Sequence, residues 1–454
     1  MHHAGKKIFL YFIVLINLFV AASALAAEQE KSARFISVSD IHFNPFYTCE
    51  TTKNTCPIID ILQNTPSSKW KTVFLNNDKK DPAYEQDNGY VLFASTLNQL
   101  KIQTSISHPK FVLLLGDLLA HDFKQAYEKY TNDYSTEGVR SFINKTMEFI
   151  TDELNHAMPG VDIYPVVGNN DTYAEHYVSE AIFYQKMAPI WSQLIKHNTL
   201  RKAMESDFSK NGYYALTIPM QHPIRLIALN TTLFSTFSVG TAAEAKAQME
   251  WLQQELELTV THHQNALIAL HIAAGIDIYK TIKTNEVIPM WKTTYTREFE
   301  QLLKTYSPYI VGVFPGHLHT DWFQSVYSVI VSATPSISPL FGNNPGFKIY
   351  DYDTRHLILQ DFKTLLYDLD GDKAWSEEYD FNKIYQPNCH DCQLIDGMKL
   401  IQQTGDLSDH YKLFYALKRN AQPITTQNKW LPYYWCAIWN ISAIDYSNCL
   451  TQNH

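Results

Sequence analysis

Short apolar runs that alternate with longer amphipathic segments are the feature of this sequence that most restricts its fold. Each run has four to eight residues, the length of a buried strand. Between the runs, Ala245, Met249, Leu252 and Leu256 fall on one helical face, and residues 90–106 form another predicted helix. Strands that alternate with helices predict a layered α/β domain. The predicted strands are residues 34–39, 111–115, 163–167, 224–230, 266–271 and 309–313, followed by 325–331 and 346–352 with little helix between them.

The two ends of the chain differ from this pattern. Residues 1–27 have the features of a secretory signal peptide, with two lysines, an apolar run over residues 8–20 and a small-x-small cleavage site. A membrane anchor is the alternative, but the run is shorter than the ~20 residues that cross a bilayer. We therefore predict a signal peptide at 1–27, a catalytic domain at 28–385 and a small helical, disulfide-bearing subdomain at 386–454.

Six cysteines agree with an exported protein, because disulfides persist outside the cytosol. Six cysteines allow fifteen pairings, and three local bridges are the simplest choice. A zinc site at Cys389 and Cys392 is the alternative, although no second ligand pair lies near it in the sequence. The predicted pairs are Cys49 with Cys56, Cys389 with Cys392, and Cys436 with Cys449.

Composition excludes two classes of protein. Hydrophobic residues make up 45% of the 454 residues and charged residues only 18%, which disfavours an extended disordered chain. Lys and Arg number 37 against 46 Asp and Glu, for a formal net charge of -9. Without a basic surplus, a nucleic-acid-binding protein is disfavoured.

Residues that bind metal ions follow five of the predicted strands. In open α/β sheets, ligands bind beyond the carboxyl ends of the strands. Aspartate and histidine suit Zn, Mn, Fe or Mg, and seven such ligands fit two ions that share a carboxylate. Two neighbouring ions form the clamp for in-line displacement at phosphorus. The five segments are Asp40-x-His42, Gly116-Asp117, Gly168-Asn169-Asn170-Asp171, His271 and Gly316-His317-x-His319.

This ordered set resembles the calcineurin-like metallophosphoesterases and, within them, the acid sphingomyelinase-like phosphodiesterases. The supporting segments are GDLLAHD at 116–122, HIAAG at 271–275, NPGF at 344–347 and the cysteine-bounded tail at 436–450. The resemblance covers about residues 33–450. It implies a four-layer sandwich, in which two packed mixed sheets are flanked by helices.

The resemblance also implies a role for each ligand and a hydrolytic reaction. A hydroxide that bridges two divalent ions, with zinc favoured by the histidine-rich donor set, would attack phosphorus in line with the leaving group. A single structural ion, or none, is the alternative. The implied ligands are Asp40, His42 and His319 for one ion, Asn169, His271 and His317 for the other, and Asp117 as the bridge.

Asn170 departs from the family pattern, which has histidine at this position to protonate the leaving group or contact the phosphate. Asparagine donates a hydrogen bond but supplies no proton. Three outcomes are open: His121 serves as the acid, the substrate has a good leaving group, or the protein is a weak enzyme. We also expect Trp322 and Phe323 to line the mouth of the site.

The expected substrate is a soluble phosphodiester or pyrophosphate, such as a nucleotide or a nucleotide-linked choline. The acid sphingomyelinases proper carry a lipid-extracting domain before the catalytic one, and only about a dozen residues separate the predicted cleavage site from Asp40. A sphingomyelin or choline-phospholipid phosphodiesterase is the second choice. A secreted binding protein with little turnover is the alternative of another class. We expect a secreted or otherwise extracytoplasmic monomer without stable membrane insertion.

Overall fold

The computed structural model describes residues 31–174, 176–386, 389, 392–404 and 429–453. The predicted signal peptide lies outside these residues. Within them, every helix is too short or too polar to cross a bilayer.

Six strands form the first sheet, which is mixed. Its spatial order is β12-β11-β10-β1-β2-β3. The central strand pairs parallel with the next strand of the chain and antiparallel with β10, so that Ile36 lies opposite Val112 on one side and Ile349 on the other. The strands are β1 (Ser32–Val38), β2 (Phe111–Leu114), β3 (Asp162–Pro165), β10 (Gly346–Asp353), β11 (Ile358–Tyr367) and β12 (Trp375–Asp380).

Six further strands form the second sheet, in the order β4-β5-β6-β7-β9-β8. Its four central strands are parallel, and antiparallel strands close both edges. The strands are β4 (Tyr214–Ile218), β5 (Ile224–Ala228), β6 (Asn265–Ala269), β7 (Ile310–Phe314), β8 (Phe323–Val326) and β9 (Val329–Ser332).

The two sheets pack against each other through aromatic side chains. The ring of Phe314 in β7 meets the edges of Phe35 in β1 and Tyr350 in β10, at centroid distances of 5.2 and 5.0 Å. Gly312 permits this close approach, because a Cβ atom there would lie 3.1 Å from Leu359 of β11. The predicted arrangement of two mixed sheets flanked by helices is confirmed.

Helices cover the sheets and form the end of the described chain. Helix α8 begins with a capping box, in which Thr241 and Glu244 each accept a backbone N–H of the other. The helices are α1 (Pro57–Asn64), α2 (Trp70–Asn77), α3 (Tyr90–Ser107), α4 (Phe123–Thr131), α5 (Thr136–Ala157), α6 (Ala181–Trp191), α7 (Asn198–Asn211), α8 (Ala242–Thr261), α9 (Ile278–Thr284), α10 (Thr293–Tyr306), α11 (Phe381–Tyr385), α12 (Leu394–Thr404), α13 (Leu431–Trp439) and α14 (Ala443–Asn453).

The C-terminal region is helical, as predicted, and it contacts the second sheet where Gln324 Nε2 donates to the carbonyl of Ala437 at 2.7 Å. Its predicted boundary at residue 385 stays a prediction. All six cysteines are paired as expected, so a thiolate zinc site at Cys389 and Cys392 is excluded. The three disulfides are Cys49–Cys56, Cys389–Cys392 and Cys436–Cys449.

One predicted strand is wrong in detail. Residues 325–331 form a hairpin, β8 and β9, whose turn is made by Tyr327 and Ser328 at positive φ of 51° and 66°. Both residues thus have the left-handed backbone of a tight hairpin turn. Strands β4, β11 and β12 were also not predicted.

Candidate metal centre

The predicted ligand segments lie together where the parallel strands of both sheets end. Main-chain hydrogen bonds join these loops: the N–H of Asp40 donates to Gly116, that of His42 to Asp117, and that of Gly316 to His271, each at 3.0 Å. The N–H of His317 also donates to Asp40 Oδ2 at 2.9 Å, so the loops after β1, β2, β6 and β7 form one connected rim.

Asp40, His42 and His319 form a first group of donor atoms. His42 Nε2 lies 3.6 Å from Asp40 Oδ1 and 3.1 Å from His319 Nε2. His319 Nε2 lies 3.4 Å from the same Asp40 oxygen. Asp117 borders this group, with its Oδ2 atom 3.6 Å from His42 Nε2.

Asn169, His271 and His317 form a second group. The Oδ1 atom of Asn169 lies 3.1 Å from His271 Nε2, and Asp117 Oδ2 lies 3.2 Å from the same nitrogen. One ligand atom from each of Asp117, His271 and His317 lies within 4.8 Å of the others. Asp117 therefore belongs to both groups of donor atoms.

Two of the histidines are oriented by main-chain carbonyls. His42 Nδ1 donates to Leu119 at 2.9 Å, and His271 Nδ1 donates to Leu115 at 2.7 Å. Each ring therefore turns Nε2 toward the centre, as in metal-binding histidines fixed by an outer hydrogen bond. The Oδ1 atom of Asp40 is buried there with no hydrogen-bond partner. An orphaned carboxylate oxygen among converging imidazoles fits a cation.

The electrostatics of the centre agree with this fit. Burial opposes ionisation of Asp40 and Asp117, but neighbouring imidazoles, led by His271, hold both carboxyl pKa values below the ordinary range. Burial alone would lower the pKa of His42, yet the neighbouring carboxylates of Asp40 and Asp117 raise it to about 9. Against the same burial, Asp117 and Asp40 raise the pKa of His271 to about 9. Both shifts favour the protonated imidazole beside the two carboxylates.

The other two histidines stay neutral. Burial lowers the pKa of His317 to about 4, and the charge of His271 contributes to the shift. Burial lowers the pKa of His319 to about 3, against the opposing pull of Asp40. Neutral imidazole is the form that binds a metal ion, so these residues fit the implied ligand set.

The ligand loops hold an unusual backbone. Five of the seven predicted ligands have positive φ values, between 43° and 75°. Such conformations are uncommon outside glycine and cluster at functional sites. The five are Asp40, His42, Asp117, His317 and His319.

Asp171 ties two of these loops together. Its carboxylate accepts the N–H groups of Asp117, Leu118 and Gly168, each at 2.9 Å. Burial, reinforced by the charge of Asp117, raises the pKa of Asp171 to about 6. Gly116, at φ 89°, is required here, because a Cβ atom would lie 2.6 Å from the nitrogen of Gly168.

His121 borders the first group of ligands. Its ring stacks on that of His42 at a centroid distance of 4.2 Å, and 27% of its side chain is exposed. Asp87 accepts from His121 Nδ1 at 3.1 Å and from its backbone N–H at 2.8 Å. These bonds fix the ring, and one ligand atom from each of His42, His121 and His319 lies within 4.8 Å of the others. Asp87 was missed, because it lies in the long insertion at 44–110 and no motif marks it.

Asn170 lies beside Asp117. Its side-chain Nδ2 donates to Asp117 Oδ2 at 2.5 Å, and its backbone N–H donates to Asp117 Oδ1 at 2.7 Å. The structure thus places Asn170 as a support of the shared carboxylate.

The expected mouth residues are wrong. Trp322 and Phe323 are 3% and 2% exposed, and Phe323 packs on Phe381 in the core. Phe341, which is 66% exposed, and Tyr177 line the rim instead, in edge contact with His319 and His317 respectively. No residue pattern distinguishes them from the other aromatic residues of the chain.

Comparison with known proteins agrees with this geometry. The family model for calcineurin-like phosphoesterase matches residues 33–321, more than half of the chain. The cyclic GMP-AMP phosphodiesterase SMPDL3A of Bos taurus is 24% identical over 81% of this chain and 82% of its own. The acid sphingomyelinase-like phosphodiesterase 3b of Mus musculus is 23% identical over 95% and 92%.

Two further proteins are similar. Sphingomyelinase phosphodiesterase D of Dictyostelium discoideum is 27% identical over 66% of each chain. A solved dimetal phosphatase from Danio rerio aligns with 73% of this chain and 95% of its own, at 11% identity and a TM-score of 0.43. The curated relatives confirm the resemblance to acid sphingomyelinase-like phosphodiesterases. The chain belongs to the calcineurin-like phosphoesterase family, and it is an enzyme that hydrolyses phosphoric esters.

Proposed function

We propose that this protein is a secreted phosphodiesterase that works with two divalent metal ions. The observation that carries the proposal is the Asp117 carboxylate, which lies between two groups of nitrogen and oxygen donors. Asp40, His42 and His319 would hold one ion, and Asn169, His271 and His317 the other. Four histidines with oxygen donors favour zinc.

The ions would supply positive charge to the phosphoryl oxygens and lower the pKa of the attacking water. The chain itself orients the side chains that would bind the ions. The carbonyls of Leu119 and Leu115 aim the rings of His42 and His271, and Asn170 holds Asp117. His121, whose Nδ1 is fixed by Asp87, would present its Nε2 to the substrate phosphate as a hydrogen-bond donor.

The proposed substrates are soluble phosphodiesters or pyrophosphates, with nucleotides and nucleotide-linked choline as the leading class. The relative named as a cyclic GMP-AMP phosphodiesterase supports a nucleotide. The relative named as a sphingomyelinase supports the second candidate, a choline phospholipid. The exposed ring of Phe341 at the rim offers a face to a base, or to a quaternary ammonium group.

A hydrolysis panel tests both the activity and the substrate class. Metal-loaded protein is assayed with bis-p-nitrophenyl phosphate, ATP, CDP-choline and sphingomyelin, with zinc added, and the bound metal is counted. We expect two ions per chain and faster turnover of the nucleotides than of the lipid. Two bound ions without hydrolysis of any ester between pH 4 and 8 would favour the alternative of a binding protein.

Secretion and a monomeric state remain part of this proposal. Three disulfides support an oxidising compartment. Detection of the processed chain in the medium or periplasm, together with its mass in solution, tests both points.

A further inference from the structure

A second histidine lies beyond His121 on the same side of the centre. The ring of His176 is 6.0 Å from that of His121 by centroid distance, and the two rings are tilted by 52°. The loop that carries His176 is tied to the metal centre, because the N–H of Tyr177 donates to the carbonyl of Asn169 at 3.0 Å. His176 is thus attached to a ligand loop without being a ligand.

The surroundings of His176 leave its ring free to act. Its Nε2 lies 3.2 Å from Asp122 Oδ1, and the two side chains are 35% and 75% exposed. An ion pair this exposed holds a side chain only weakly. A small cavity next to the ring is lined by Asn170, Thr172, Ala174 and His176 among others. The ring therefore has both solvent access and space on the side of Asn170.

Asn170 and His121, the polar residues nearer to the centre, both have fixed partners. Asn170 supplies no proton, and its side-chain N–H already serves Asp117. His121 lies flat on His42, and its Nδ1 is fixed by Asp87. In an in-line displacement the leaving group departs on the side opposite the attacking water. His176 is the exposed end of a row of rings that runs from His42 through His121.

We propose that His176 is the residue that protonates the leaving group, while His121 binds the phosphoryl oxygens. The inference rests on the proposed function. Asp122 lies beside Nε2 of the ring, and Nδ1 gives its proton to the leaving oxygen as the bond from phosphorus to that oxygen breaks. Water supplies the new oxygen on phosphorus, and its released proton goes to solvent. The neutral ring of His176 regains a proton from solvent.

The test compares leaving groups in the metal-loaded full chain. The His176→Gln variant keeps a polar side chain and loses the proton. We expect its kcat to fall about 100-fold on a methyl phosphodiester with an alkyl leaving group, and less than about threefold on the p-nitrophenyl ester. The exposed His262 provides the matched control, since His262→Gln changes neither rate.

Two further measurements separate an acid from a structural residue. Metal content and inhibition by inorganic phosphate should match the wild type in His176→Gln, because neither the ligands nor His121 is altered. Added imidazole should restore part of the alkyl-ester rate in His176→Ala. An equal loss on both esters, or no loss on either, overturns the role of His176. Inactivity of the wild type on both esters would instead refute the proposed function.

Discussion

Replacing Lys348 by methionine should destabilise the protein far more than removing a neighbouring surface lysine. Lys348 in β10 is fully buried, and its Nζ lies 2.6 Å from Asp321 Oδ1, which is also fully buried. Burial lowers the pKa of Lys348, and Asp321 opposes the shift. The Lys348→Met variant keeps the volume of the side chain and leaves Asp321 as an unpaired charge between the sheets.

The magnitude follows from the contacts that remain. At an effective dielectric constant of ~20, the attraction across this ion pair is about 6 kcal/mol. Two effects make the net loss smaller than this attraction. The free energy spent on burying the ammonium group is no longer needed, and the hydroxyls of Thr364 and Tyr379 still donate to Asp321 at 2.6 and 3.0 Å. Breaking a buried pair by removing one partner costs about 3–5 kcal/mol, and we expect a loss of unfolding free energy in that range.

Denaturant unfolding followed by tryptophan fluorescence measures this loss. The control is Lys363→Met on the adjacent strand, whose partially exposed Nζ lies 3.4 Å from both Glu377 and Asp380 and should contribute about 1 kcal/mol or less. The double variant Lys348→Met with Asp321→Asn should recover about half of the loss or more, because no unpaired charge stays buried. Equal stability of the two lysine variants would refute the reasoning.

Three other results are expected. Zinc affinity, measured by chelator competition, should rise with pH from 6 to 8. The ion must displace protons from His42 and His271, whose pKa values are raised to about 9 by the neighbouring carboxylates. An affinity independent of pH would contradict those protonation states. Gly168→Ala should lose bound metal, as measured by elemental analysis, because an added Cβ atom would collide with the carboxylate of Asp117. A Gly168→Ala variant that keeps both ions would contradict this packing. Asp87→Ala should lower kcat about 10- to 100-fold at unchanged metal content by releasing His121, whereas an unchanged kcat would show that the ring needs no anchor.

The strands that could be predicted from the sequence share one property, which is burial on both faces. Strands such as β2 and β6 pair parallel with both neighbours and are buried on both faces, so they appear as continuous apolar runs. Strand β12 carries the polar sequence Trp375–Asp380 at a sheet edge, where one face meets solvent. Its pattern does not differ from that of a loop, and only pairing with β11 defines it.

The site residues that were predicted and those that were missed also differ in where they lie in the chain. The ligands were recognisable because each follows a strand, which places it at a known edge of a sheet. Asp87 and Phe341 reach the centre from long connections whose course depends on tertiary packing. Asp87, for example, is held by Ser338 of another loop, at 3.0 Å. Local sequence does not encode such contacts between distant segments.

The positive φ values of the ligands also depend on tertiary contacts. A residue such as His42 in the left-handed region costs about 1–2 kcal/mol relative to ordinary backbone. No local preference selects five such residues, so the packed sheets and the hydrogen bonds between their loops must impose this conformation. Asp171 and the carbonyl of Leu119 do so from outside the ligand set. Packing of the chain thus brings the donor atoms of the site together.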